Sequence, residues 1–456
     1  MKGFMEKDRL ALVPVVFALA GPTMLEQLLQ TAVQYIDTAM VGSLGTEATA
    51  AVGSTTTVNW LIGSTISAFG VGFLAYISQA YGAGNLDRVR KAAGQSVFMV
   101  LFVGLFFTAV TLGLSSYVPV WMQVDEKIQG LASTYFFILY LPMLFRAAST
   151  IFGTVLRAAG DTATPMRVGL VVNLINVILN FLLIFESRAA ALGSLVFVLP
   201  GAGWGVIGAA VASAVAFSIG GILMFAAVWR HKDLSPRGVS ILPDKAVLLP
   251  CLRVALPNMA QRFCTSLGYV FFAAMINSLG QVSTAAHTIA NTVESAFYIP
   301  GYGMMTAAAT LTGNAIGAHD RKKQSDLSVT IITIEVSMMI LSGGLLFAFA
   351  PQMVSLFTKS ADVISLCSLV LRMVALSEPF YGISIVIEGM LQGAGETVRP
   401  FRYSVFSMWA VRILGTFICI HLLGMGLVSA WACMIGNNLL LCFLFVRCIR
   451  GGMPGW

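Results

Sequence analysis

Twelve apolar runs, each long enough to cross a bilayer, dominate this 456-residue chain and leave little else to fold. They lie near 11–42, 48–81, 93–119, 130–156, 166–186, 204–229, 246–278, 284–316, 327–350, 363–392, 401–422 and 424–446. Only 10% of the residues are charged and 57% are hydrophobic, where a soluble domain carries about 25% charge, so the runs cannot be the cores of water-soluble domains. Unsatisfied backbone is not tolerated in hydrocarbon, and continuous apolar stretches of this length satisfy theirs as helices. The expected fold is an all-α polytopic membrane protein with twelve transmembrane helices. The first run is too long for a signal-peptide core and is expected to stay as a helix.

Charge placement orients the helices. Segments on the N-terminal side of the membrane collect 19 Lys and Arg, among them Arg88, Arg90, Lys91, Arg321, Lys322 and Lys323, against Lys127, Arg188 and Lys359 opposite. By the positive-inside rule both termini are cytoplasmic, and the location expected is a bacterial inner membrane. The net charge of +7 is therefore a topology signal and not a nucleic-acid footprint. Seven cysteines lie in apolar segments with neither CxxC pairs nor matching histidine spacing, so they read as small hydrophobes and no metal centre is expected.

An internal repeat divides the chain. LRAAGDTATPMR (156–167) returns as LQGAGETVRPFR (391–402), and the same offset of 235 superposes Pro22 on Pro257, SLG (43–45) on SLG (278–280), and Gly82-Ala83 on Gly317-Ala318. The register breaks after 180: GWGVIGAA (203–210) corresponds to GMGLVSAW (424–431), leaving about 14 extra residues in the first half's external hairpin, 186–202. Two pseudo-symmetric six-helix bundles follow, residues 1–230 and 246–456, joined by a cytoplasmic linker at 231–245. Six is even, so the halves run parallel, as in transporters that rock two bundles about a central cavity.

The halves differ in their polar residues. Gln30, Gln34 and Asp37 share one face of helix 1, and a carboxylate in hydrocarbon costs roughly 2.5–3.5 kcal/mol unless it faces protein or water. Asn173, Asn176 and Asn180 line one face of helix 5. At the repeat offset Asp37 becomes Phe272, Asn176 becomes Val411 and Asn180 becomes Gly415. Ion coupling is thus expected in the first bundle, through Asp37, Asn176, Asn180 and Gln34. Pro22, which has no N–H to give to the helix, is the expected hinge. Met40 and Tyr302 could line an adaptable cavity with Gln30, Asn173 and Glu294. Other charges at membrane depth are Glu335, Arg262, Arg372, Glu378, Glu388 and Arg412; one reading pairs Arg262 with Glu294 or Glu388.

Several motifs are recognisable together: YIDTAMVGSLG (35–45), SQAYGAGNLDRVRKA (78–92), LRAAGDTATPM (156–166), NLINVILNFLLIF (173–185) and LQGAGETVRP (391–400). Over essentially its whole length the chain resembles the MATE family of multidrug and toxic compound extrusion transporters. The resemblance implies a V-shaped pair of bundles that expels amphipathic, usually cationic, organic compounds in exchange for H⁺ or Na⁺. It implies that Asp37 is the helix 1 aspartate used for coupling, Pro22 the proline at which that helix bends in some members, and Asn176 an asparagine near the aspartate. Departures are Asn180, where DinF-like and archaeal members have a second aspartate, Thr265, where NorM-like members have a glutamate, and Tyr381 or Gly382 near their helix 10 aspartate. With one carboxylate among amides, H⁺ is the expected coupling ion, Na⁺ at Asp37, Asn176 and Asn180 being the alternative.

The rival within the superfamily is a lipid-linked saccharide flippase, which twelve helices and an acidic helix 1 disfavour. An enzyme would need HExxH, GxSxG or facing aspartates, and GAGNLDR lacks the GK[ST] ending of a phosphate loop, so neither catalysis nor ATP use is expected. No cofactor beyond the coupling ion and no nucleic-acid partner is expected. Each chain contains both bundles, so a monomer would suffice.

Overall fold

The computed structural model describes residues 2–192 and 195–452. The first half is built from α1 (Lys2–Gly42), α2 (Thr46–Gly82), α3 (Leu86–Leu114), the short α4 (Val118–Trp121), α5 (Glu126–Tyr140), α6 (Met143–Ala158), α7 (Ala163–Ile184) and α8 (Gly205–Arg230). The second comprises α9 (Lys245–Asn277), α10 (Gln281–Gly317), α11 (Arg321–Ser355), α12 (Ala361–Ala375), α13 (Glu378–Gly393), α14 (Val398–Phe406), α15 (Leu414–Phe417) and α16 (Leu427–Arg450). Two π-helical turns, Ser407–Ile413 and Ile418–Leu422, flank α15 and make one continuous rod from 398 to 422.

Helices or broken helix pairs stand at all twelve predicted positions. Eight single helices and two bent pairs are long and apolar enough to span a membrane. The remaining two, α9 and α10, have 33 and 37 residues, long enough to span but more polar. Leu101, Phe102, Leu105 and Phe106 are exposed together along α3, a stripe that suits lipid contact and not water.

The repeat is carried into the backbone. Helix starts at 46, 86, 126, 143 and 163 recur at 281, 321, 361, 378 and 398. The break between α5 and α6, bent by 49°, recurs between α12 and α13 at 54°. The turns repeat too: Gly160 and Gly395 follow matching helices with φ of 91° and 79°, a left-handed conformation that glycine adopts without a Cβ clash. Gly84 is answered by His319, which holds φ 54° at the steric cost a non-glycine pays there. The extra residues of the first half form an antiparallel hairpin, β1 (Glu186–Leu192) with β2 (Leu195–Ala202), Glu186 facing Ala202.

The compact units do not follow the repeat boundary. One contains residues 25–73 and 86–249; the other contains 1–24, 74–85 and 250–456. Within the second unit the end of α2 packs on α10 by a reciprocal contact: Gly82 lies against the Asn314 backbone and Gly317 against that of Gln79, pairs that the 235-residue offset exchanges. Any Cβ at these glycines would strike backbone. Gln79 adds a hydrogen bond from its Nε2 to the Gly393 carbonyl at 2.9 Å. In the same unit Arg9 pairs with Asp326 at 2.9 Å, and one apolar core is built around Trp431, Phe272 and Met434. In the first unit, Gln95 on α3 fastens the segment between α8 and α9: it donates to the Leu242 carbonyl at 2.7 Å and accepts from the Asp244 amide at 2.9 Å.

Candidate functional site

α1 and α7 bring Asp37, Asn176 and Asn180 together. Asn180 Nδ2 donates to Asp37 Oδ1 at 2.6 Å. Hydrogen-bond logic orients the Asn176 amide with its nitrogen toward the same carboxylate, where it donates to both Asp37 oxygens at 3.0 Å while its oxygen accepts from Ser213 Oγ at 3.2 Å. Ser213 is in place because α8 lies unusually close to α7: Gly208 sits against the Leu183 carbonyl with no room for a Cβ. Asn176 and Asn180 are buried, while Asp37 keeps part of its surface. It is not mid-helix as its apolar run suggests, but five residues before the end of α1 at Gly42, about 7–8 Å along the axis. Two neutral N–H donors thus clasp a carboxylate that has no cation bonded to it among the described residues. Such a group can gain or lose a proton without breaking an ion pair.

The other expected residues are dispersed. Gln30 and Gln34 are exposed, and neither bonds Asp37 among the described residues; Asn173 and Met40 are half-buried. Pro22 lies inside α1, and α1 passes from one compact unit to the other between Met24 and Leu25, two residues beyond it. Just past that point Glu26 accepts from Arg157 Nη2 at 2.7 Å with both carboxylate oxygens, tying α1 to α6. Tyr302 and Glu294 belong to the other unit, Tyr302 exposed and Glu294 buried.

A basic group absent from the sequence-based expectations occupies the interior of the first unit. Arg146, in the first turn of α6 just after the 49° bend, donates from Nη1 to Asn59 Oδ1 on α2 at 2.5 Å. Tyr140 donates to the same oxygen at 3.1 Å. The guanidinium lies 5.0 Å from the ring centre of Phe217 on α8 and 5.8 Å from that of Tyr140. Its signal was a single Arg inside the apolar run 130–156, while Asn59 and Phe217 stand on helices remote in sequence.

In the second half the arrangement is inverted. Phe272, at the position of Asp37, lies beneath the Arg412 guanidinium, 4.2 Å from its ring centre, with Tyr269 at 4.7 Å. Arg262 does not bond Glu294 or Glu388: its Nε donates to Asn258, one turn back in α9, at 3.0 Å, a partner within reach at no packing cost. Glu388 accepts instead from Gln261 at 3.0 Å and Gln392 at 3.3 Å. Glu335 and Glu378 are fully buried, with no hydrogen-bond partner for either oxygen among the described residues. Gly301 and Gly382 make the space for Glu335, since a Cβ there would stand 2.8 or 2.9 Å from its Oε1. Tyr298, Tyr302 and Tyr381 form an edge-to-face cluster beside them. No set of three or more His, Cys, Asp or Glu among the described residues could hold a metal ion.

The chain is similar to known proteins over most of its length. The MatE family profile matches twice, over residues 22–182 and 257–418, again 235 apart at their starts. The probable multidrug resistance protein NorM of Thermotoga maritima is 27% identical over 92% of this chain and 88% of its own length. The probable multidrug resistance protein YoeA of Bacillus subtilis is 25% identical over 90% and 87%. A MATE protein solved in complex with MaL6 superposes with a TM-score of 0.88 at 22% identity, covering 96% of each chain. An outward-facing multidrug resistance MATE transporter of the MOP superfamily gives 0.87 at 22%, over 96% of this chain and 95% of that one. At these identities the structural likeness establishes the fold.

Proposed function

The chain belongs to the MatE family of membrane transporters and is not an enzyme; from that premise we propose that it is a secondary active antiporter that exports amphipathic, cationic organic compounds in exchange for H⁺ by alternating access. The supporting observation is the Asp37 carboxylate, clasped by two amide N–H groups and paired with no cation. When ionised, Asp37 attracts a cationic substrate; a proton arriving from outside removes that attraction and weakens the bonds from Asn176 and Asn180. α1 then exchanges between two packings, bending at Pro22, and the substrate is released outward. One elementary charge crossing 100 mV is worth about 2.3 kcal/mol, enough for one proton to sustain a useful concentration ratio.

Amides that point N–H groups at the carboxylate favour H⁺ over Na⁺, since a sodium ion wants their oxygens. The names of the curated relatives, multidrug resistance proteins, support drug export as the task. The reading places the protein in an inner membrane with both termini cytoplasmic, acting as a monomer without ATP. The test is efflux of a fluorescent cationic dye from proteoliposomes under an imposed pH gradient and, separately, an imposed Na⁺ gradient. Efflux with the pH gradient alone is expected; efflux only with Na⁺ would replace the coupling ion, and efflux with neither would overturn the antiport reading.

A further inference from the structure

The rod 398–422 and α16 lie antiparallel, held by three contacts along their length. Arg399 Nη1 donates to Cys448 Sγ at 3.7 Å, the Tyr403 and Phe445 rings stand 6.2 Å apart, and Ser407 Oγ donates to the Asn437 carbonyl at 3.0 Å. Arg402 immediately precedes Tyr403, and Arg447 immediately precedes Cys448. Seen from one end, two antiparallel helices wind in opposite senses, so a step of one residue back from the contact turns both side chains toward the same side of the pair. Arg402 and Arg447 therefore flank one side of these helices at one depth, and both are exposed. One turn deeper on the same two faces, four residues from each arginine, are Phe406 and Phe443, each 60% exposed.

No acid of these helices offsets the charge. From Thr397 to the end of the chain there is neither Asp nor Glu, and Glu396, just before it, pairs with Arg399 at 3.9 Å. Neither Arg402 nor Arg447 has an ion-pair partner among the described residues. The positive-inside rule asks for basic residues near one membrane surface, but not for two at one depth on one side of two touching helices. The first half shows what that rule alone yields. There Arg167 answers Arg402 at the offset of 235, and Val171 and Ile222 answer the phenylalanines, but Ala226 stands where the offset of 221 places Arg447. The sole arginine of α8, Arg230, lies one turn further out.

We propose that this side of the second unit seats one anionic phospholipid, its phosphodiester held between Arg402 and Arg447 and its acyl chains laid along Phe406 and Phe443. The guanidinium fork matches phosphate oxygens in charge and geometry, and basic groups beside membrane helices attract anionic headgroups. A soluble anion would satisfy the arginines and leave the apolar stripe beneath them uncovered; a phospholipid satisfies both. The seated lipid bridges the rod to α16. The inference does not depend on the export reading or on which ion drives it.

The experiment is native mass spectrometry of the full-length protein in detergent, titrated with phosphatidylglycerol or with phosphatidylcholine of the same acyl chains. The wild-type protein is expected to hold one phosphatidylglycerol about tenfold or more tighter than phosphatidylcholine, as charge-assisted bonds to the phosphate require. The double variant Arg402→Gln with Arg447→Gln is expected to bind the two lipids within about twofold of each other, while Arg167→Gln keeps the wild-type preference. Both arginines are exposed, so the unfolding temperature without added lipid should be unchanged, which is the folding control. Ala226→Arg completes the pattern in the first half and is expected to add a second tightly held phosphatidylglycerol. An undiminished preference in the double variant, or its loss in Arg167→Gln, would overturn the assignment. Displacement of the lipid by glycerol 3-phosphate at equal concentration would overturn it too, marking a bare anion site.

Discussion

The two halves share a backbone and oppose each other in chemistry. Five helix starts recur at 235 residues to the residue, and so does the bend at 140–143 and 375–378, yet the first half sets an amide-clasped carboxylate where the second sets a phenyl ring under a guanidinium. Packing constraints explain the likeness: a duplicated helix must keep its length, its turn glycines and its close contacts, as at Gly82 and Gly317. Nothing in packing requires the polar interior to be kept. On the antiport proposed above, divergence there is a division of labour, with the exchangeable charge of Asp37 placed in one half.

That division can be broken by moving the acid. In an Asp37→Asn background, Phe272→Asp restores the number of carboxylates but places the new one under Arg412, where it forms a lasting ion pair. Drug efflux driven by a pH gradient is expected to stay at the level of empty liposomes, and recovery would show that the halves are interchangeable. A smaller effect sharpens the same contrast. Glu335 is buried with no hydrogen-bond partner among the described residues, so a charge there is not compensated, and the isosteric Glu335→Gln should leave transport within about twofold and thermal stability equal or slightly higher. A tenfold loss of transport at unchanged expression would place a working acid in the second half and dissolve the asymmetry.

Much of this was legible in the residues. The twelve helical positions and the repeat with its break follow from apolar run length and a constant offset, local or periodic signals; helical spacing put Asn176 and Asn180 on one face, and their nearness to Asp37 was what the family resemblance implied. Arg146 was not, because one charge in an apolar run leaves the run intact and its partners Asn59, Tyr140 and Phe217 come from three different helices. The partner of Arg262 was misread for the opposite reason: opposite charges suggested Glu294 or Glu388, but an amide one turn away was nearer. Gln34 shares the helical face of Asp37 but lies exposed and does not bond it among the described residues. The hairpin at 186–202 and the π-helical turns at 407–413 and 418–422 come from sheet pairing and helix distortion that hydropathy does not encode.

The central claim is that Asp37 itself carries the coupling proton, and it is tested most directly by counting protons. Proteoliposomes with a pH dye inside, given a transported cation, are expected to show substrate-evoked proton movement for the wild-type protein and none for Asp37→Asn, which unfolds at the same temperature and, without the charge that attracts the cation, binds it more weakly. Undiminished substrate-evoked proton movement in Asp37→Asn would contradict the account.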